Sequence, residues 1–243
     1  MVLTFVFSTC CLLLSFRFAG ACGVIAYSVM ALVAANIQVL KVSSCLWFPE
    51  PVALGTIIFS SLYLCSDILT EYEGAAKARQ AVWVQFGTQL MFVGWMLLTL
   101  AHPTVQTPCQ HHVQGAMETL FLPTPSLVAA SLLAYLLSQY NDIWIFATLK
   151  RLTRGRHLWL RTGLSNLVSG FIDHVTFSVL AWVVFAASPI SYHTLWWSYI
   201  LGAYTIRAIL LLLHTPFMYL AKWVAPSPAT PNTSKERRNN LAS

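Results

Sequence analysis

A chain of 243 residues that is 57% hydrophobic and only 9% charged cannot solvate a globular surface, because a soluble domain carries about 25% charged residues. The mean hydropathy of +0.66 over the whole length points the same way. A net charge of +6 would suggest nucleic acid as the partner of a soluble protein, but in a membrane protein it reports which side of the bilayer the Lys and Arg occupy.

Several stretches run about 17–25 residues with few or no charges, the length an α-helix needs to cross a bilayer. They lack the alternation of barrel strands, and in lipid the backbone must be satisfied internally. An all-α, polytopic membrane helix bundle is therefore expected. It divides into an apolar N-terminal segment over 1–18, a transmembrane bundle over 19–224 and a basic tail over 225–243. The tail is rich in Pro, Ser, Asn, Lys and Arg, a composition that predicts disorder.

The first 16 residues are apolar and end at Arg17. They lack the basic start and small-residue cleavage site of a secretory signal. Three placements stay open: an extra short span, an interfacial segment, or the start of one long tilted first helix. Arg17 favours a cytoplasmic N-terminus with six core spans. These fall at about 19–41, 52–71, 80–101, 125–149, 164–187 and 195–222.

The connection around Lys77 and Arg79 is basic, as are the one holding Lys150, Arg151, Arg154, Arg156 and Arg161 and the tail with Lys235, Arg237 and Arg238. The alternate connections, 42–51, 102–124 and 188–194, contain no Lys or Arg. The positive-inside rule puts the basic segments and the C-terminus in the cytoplasm, with the protein in the inner (cytoplasmic) membrane of a cell. Of the six cysteines, Cys10, Cys11, Cys22 and Cys65 lie in apolar runs, where Cys acts as a small hydrophobe. Cys45 and Cys109 fall in outer loops and can pair in an oxidising space. His102, His111 and His112 lie near Cys109, but no metal spacing occurs, and no metal or cofactor is expected.

Helical phasing gathers the polar residues of three spans into faces. Thr56, Ser60, Tyr63, Asp67, Thr70 and Glu71 lie within an arc of roughly 100°. Ser131, Tyr135, Ser138, Gln139 and Asp142 do the same in the 125–149 span. Arg161, Ser165, Ser169, Asp173 and Thr176 occupy about 120° in the next span, with Asn166 at the edge.

Ionisable groups inside a bilayer are costly and mark function by default, so these faces read as the lining of a path for a small polar solute. The plain alternatives are that Ser and Thr bond to their own backbone or glue helices together, and that Glu71 and Asp142, near the boundary, are solvated or paired with a loop Arg. For the deeper Asp67 and Asp173 the alternative is a structural ion pair, with Lys41, Arg161 and Arg207 the basic residues at hand; Asp173 is the favoured functional position. His174 points about 100° away from Asp173 and reads as packed and neutral. Most of the nine Trp read as interfacial anchors, whereas Trp144 shares a helix with a polar face.

Several runs resemble the queuosine precursor transporter family, also called vitamin uptake transporters. They are SDILTEYEGAAKAR from Ser66 to Arg79, AYLLSQYNDIWIF from Ala134 to Phe146 with Lys150 and the LWLR ending at Arg161, and SNLVSGFIDHVTF from Ser165 to Phe177. Asn36 followed by Lys41 fits the family's first span. Asn166 and His174 depart from the family pattern, which has Thr at both positions.

The resemblance implies an importer of a 7-deazaguanine base used in transfer RNA modification: 7-cyano-7-deazaguanine, its aminomethyl form or queuine. It implies substrate binding by Asp67, Asp173, Gln139, Asn36, Ser165, Ser169, Asp142, Glu71, Arg161, Phe177 and Trp144. A carboxylate of Asp173 or Asp67 can accept the paired N–H and NH₂ of a guanine-like edge, and a second can balance a cationic amine. Gln139 and Asn36 can meet the remaining ring positions, while Phe177 or Trp144 can stack on the flat base. The expected partners are this purine-like small molecule and the lipid bilayer, with further copies of the chain as an open alternative and no nucleic acid. Two other functions are weighed. A substrate-binding subunit of an ATPase-energised vitamin uptake system would depend on a partner, because the chain has no P-loop. An intramembrane enzyme is disfavoured by the absence of GxSxG and HExxH, so no enzyme is expected.

Overall fold

A computed structural model of the protein describes residues 1–45, 48–105, 107–121, 125–185 and 191–225. The tail expected to be disordered lies outside these from residue 226 onward.

The first helical stretch, α1 (Val2–Gln38), is broken at Gly20, whose φ of 54° and ψ of −137° lie in a region that side chains disfavour. There the chain reverses. The Ser8 hydroxyl and the Tyr27 hydroxyl lie 2.5 Å apart although 19 residues separate them; a straight helix would hold those positions about 28 Å apart. The two arms, 2–19 and 21–38, are antiparallel and so close that a Cβ on Gly23 would overlap the Ser15 carbonyl oxygen. The N-terminal segment is thus a helix of its own, not the start of a long tilted one. With Phe16 against Tyr72, this helix sets Met1 at the end opposite the basic connections, not on their side as Arg17 suggests from sequence. It extends about 27 Å by helical rise, close to the roughly 30 Å of a bilayer's hydrocarbon. Phe5 packs on His214 and Phe217, and Phe16 packs on Tyr72.

Gly20→Val should cost about 1–3 kcal/mol, the strain of a side chain in that backbone region. A thermal unfolding midpoint of the purified protein unchanged by this substitution would show that the reversal is not fixed at Gly20.

After α1 comes an antiparallel hairpin of β1 (Val42–Cys45) and β2 (Phe48–Ala53), with Val42 paired to Ala53. It is a small departure from an all-helical expectation. The central helix α2 (Gly55–Tyr72) follows, and every residue from Ser60 to Thr70 in it is buried. Next are α3 (Ala75–Ala101), a short exposed α4 (Pro108–Phe121) in the region read as an outer loop, and α5 (Pro125–Leu152). Then α6 (Leu158–Val179) continues into a π-helical stretch Leu180–Val184. A single turn α7 (Tyr192–Thr194) and a second π-helical stretch Leu195–Gly202 lead into α8 (Ala203–Val224).

Helix α2 packs against α1, α3, α5 and α8, while α6 lies against both α5 and α8. Among the described residues, four stretches are long and apolar enough to cross a membrane: Val2–Gln38, Ala75–Ala101, Leu158–Val184 and Tyr204–Val224. Helices α2 and α5 carry more polar residues because those residues turn inward, and neighbouring helices shield them from lipid. On the outside, Trp83, Met91, Trp95 and Leu98 of α3 and Leu133, Leu137 and Trp144 of α5 are exposed, an apolar coat suited to acyl chains. The protein is a multi-pass α-helical membrane protein. Its basic connections, 150–161 and the start of α3, collect at one end with the close of α8.

Candidate functional site

The polar faces of α2, α5 and α6 meet inside the bundle in three tiers. The middle tier holds Asp67 of α2 and Asp142 of α5, both with no exposed surface. Asn166 Nδ2 donates to Asp67 Oδ2 at 3.2 Å, and Ser66 Oγ donates to Asp142 Oδ2 at 2.6 Å. Ser165 lies beside Asp142, and the two carboxylates are near enough for their charges to interact. Neither has an ion-pair partner among the described residues. The second oxygen of each, together with Gln139 Nε2, Asn166 Oδ1, Thr70 Oγ1 and Ser169 Oγ, is buried without a hydrogen-bond partner. A buried polar atom left unpaired costs about 1–3 kcal/mol, so a set of them between three helices marks the candidate site.

The tier at the basic end is an ion-pair network. Glu71 Oε2 lies 3.1 Å from Lys150 Nζ and 3.1 Å from Arg161 Nη2, and Lys150 also donates to the Glu71 backbone carbonyl at 2.6 Å. The Arg161 guanidinium sits 5.3 Å from the centre of the Phe146 ring. A cavity of about 270 Å³ borders this network, lined by Tyr72, Gly155, His157, Tyr219 and Lys222 besides Glu71 and Arg161.

In the third tier, toward the opposite end, Arg207 Nη1 of α8 meets Asp173 Oδ2 of α6 at 2.5 Å. Ser138 Oγ donates to Asp173 Oδ1 at 3.1 Å, and Arg207 Nη2 donates to the Tyr63 hydroxyl at 3.3 Å. The guanidinium also covers the Phe59 ring at 4.7 Å. Beyond it a hydrogen-bonded chain runs from the Tyr135 hydroxyl to Gln85 Oε1, and from Gln85 Nε2 to Ser28 Oγ at 2.5 Å. Helices α1, α3 and α5 are tied together by that chain.

Of the residues singled out from sequence, Asp67, Gln139, Asp142, Ser165, Ser169, Asp173 and Arg161 are buried in these tiers, and Glu71 borders them. Asp173 takes the ion pair weighed as its alternative role, with Arg207 as the partner. Phe177 is half-buried one turn beyond Asp173. Two positions are not brought in. Trp144 is 63% exposed on the outer surface; the buried aromatic nearby is Phe146, against Arg161. Asn36 adjoins Ala35, whose carbonyl abuts Gly55 at the far end of α2, about 18 Å from Asp67 by helical rise.

Phasing missed Ser66, Gln85 and the role of Arg207. The last carried a signal, since a guanidinium in an apolar helix must find a carboxylate. The paired Gln85 and Gln89, one turn apart on α3 and both buried, also mark an inward face. The pairing of Cys45 with Cys109 falls on a side chain outside the described ones.

A helix bundle with an apolar exterior that buries two carboxylates without a cation among the described residues, beside unpaired amides and hydroxyls, has the build of a membrane transport protein for a small polar molecule. Residues 53–221 match the family described as "Putative vitamin uptake transporter". Over 216 residues the chain is 30% identical to the "Probable queuosine precursor transporter" of Bacillus subtilis (strain 168), covering 88% of this chain and 90% of that protein. The chain therefore belongs to the vitamin uptake transporter family, as its motifs at Ser66–Arg79, Ala134–Phe146 and Ser165–Phe177 imply. No solved structure matches it.

Proposed function

We propose that the protein imports a 7-deazaguanine precursor of queuosine across the inner membrane, with its basic end in the cytoplasm. The observation that carries this reading is the pair Asp67 and Asp142, each buried with one oxygen bonded and the other unpartnered. A guanine edge presents a ring N–H and an exocyclic NH₂ side by side, and one carboxylate accepts both. Asp67 takes that part, with Asn166 steadying its other oxygen. Asp142 balances the positive amine carried by the aminomethyl base or queuine. Gln139 Nε2 donates to a ring acceptor, and Asn166 Oδ1 and Ser169 Oγ serve the remaining polar edge. The name of the Bacillus subtilis relative supports the same ligand class.

Asp173 has another role in this scheme. Its carboxylate is already held by Arg207 and Ser138, so it joins α6 to α8 and shapes the site without meeting the base. Glu71, Lys150 and Arg161 close the basic end beneath the site. The positive-inside rule supports the cytoplasmic placement of that end and of the C-terminus.

A bacterial host lacking its own importer and unable to make the base offers the test. Supplied with one deazaguanine at a time, cells expressing this chain should regain queuosine in transfer RNA with at least one of them. Rescue by none of the three would remove the proposed function.

A further inference from the structure

We propose that the cavity at the basic end is an anion site that takes a phosphate group, presented by the headgroup of an anionic phospholipid or free in solution. The cavity, about 270 Å³, lies where the C-terminal ends of α2 and α8 meet the start of α6. The charges around it do not cancel: Arg161, Lys222 and the neighbouring Lys150 face the single carboxylate of Glu71.

Arg161 is the second, independent sign of a ligand. Its side chain is 1% exposed and lines the cavity, and while Nη2 holds Glu71, both Nε and Nη1 lack a partner. Each of these two N–H groups is a charge-assisted donor that a phosphate or carboxylate oxygen can satisfy singly. The cavity also takes in His157 and Leu158 at the start of α6, where the Trp159 N–H donates to the Tyr219 hydroxyl at 3.2 Å. His157, in the left-handed region at φ 55°, and Gly155, at φ 78°, bend the chain around this opening.

Depth favours the lipid as the source. Tyr72 and Tyr219 line the cavity, and Trp159 and Trp223 beside it are exposed, the aromatic girdle that marks the headgroup level. Basic pockets between helix ends at that level hold anionic headgroups. The site lies outside the tier holding Asp67 and Asp142, and the inference does not depend on which base is carried.

The test uses the full-length protein purified in a neutral detergent and titrated with phosphatidylglycerol, phosphatidylcholine or inorganic phosphate. Bound lipid is read by native mass spectrometry and the unfolding midpoint by thermal scan. Phosphatidylglycerol should bind in preference to phosphatidylcholine. Lys222→Gln should weaken it about tenfold, the worth of one charge-assisted contact, whereas Lys222→Arg should keep it. Lys222 is exposed, so neither variant threatens folding. Phosphatidylglycerol that resists displacement by inorganic phosphate identifies the headgroup as the ligand. Displacement, with a matching rise in midpoint from phosphate alone, identifies soluble phosphate. Equal binding of the two lipids without any effect of phosphate overturns the proposal, as does phosphatidylglycerol binding that Lys222→Gln leaves unchanged.

Discussion

Asp67→Asn is expected to lower uptake of a 7-deazaguanine base by about 30-fold or more while the protein stays in the membrane. Asn has nearly the shape of Asp, so packing within α2 is preserved and its side-chain oxygen can still accept from Asn166. What is lost is the charge and one of two acceptor oxygens, replaced by an NH₂ facing the donors of a guanine edge. Removing one partner of a buried charge-assisted pair costs about 2–5 kcal/mol, and the lower figure alone is close to 30-fold. Asp142→Asn separates the roles of the two carboxylates. It should impair the cationic aminomethyl base strongly and the neutral cyano base little. Wild-type uptake of all three bases by Asp67→Asn, with the variant present at normal level in the membrane, would show that Asp67 does not meet the substrate.

The second large effect concerns folding. Arg207→Met should destabilise the protein by about 3–5 kcal/mol, because it leaves the carboxylate of Asp173 buried without its cation. That ion pair, at 2.5 Å, is nearly sealed from solvent, and Tyr63 and Ser138 are bonded around it. Pairing Arg207→Met with Asp173→Leu should recover most of the loss, because an apolar pair of similar volume replaces a buried ion pair at little cost. Thermal unfolding of the two variants in the same detergent decides it. A double variant no more stable than Arg207→Met alone would mean that the cost lies in packing around Arg207 and not in the stranded charge.

Much of this architecture is legible in the amino-acid sequence. The long apolar runs dictate helices, and phasing alone points Asp67, Gln139, Asp142, Ser165 and Asp173 inward, where all are buried. Phasing within one helix gives a direction but never a partner. The cation for Asp173 lies on α8, 34 residues further along the chain, and only packing of α6 on α8 reveals it. Trp144 stands two residues from Asp142, which puts it about 200° around the helix; the same phase that turns Asp142 inward turns Trp144 to the lipid. Asn36 followed a family motif rather than depth, and depth places it at the far end of α2. The reversal at Gly20 is hidden for another reason. A glycine in an apolar run is common in membrane helices, and only its backbone angles and the Ser8–Tyr27 contact separate a hairpin from a straight helix. The hairpin of β1 and β2 sits among prolines that read as loop.

The carboxylate pair of the middle tier matters only if the chain itself recognises and moves the base. Uptake of a labelled deazaguanine into liposomes containing this chain alone, with no ATPase partner and with each unlabelled base as competitor, measures that directly. Uptake above that of empty liposomes, competed by a 7-deazaguanine but not by adenine and lost in Asp67→Asn, is the expected result. Liposomes that take up no more of any of the three bases than empty ones would contradict it.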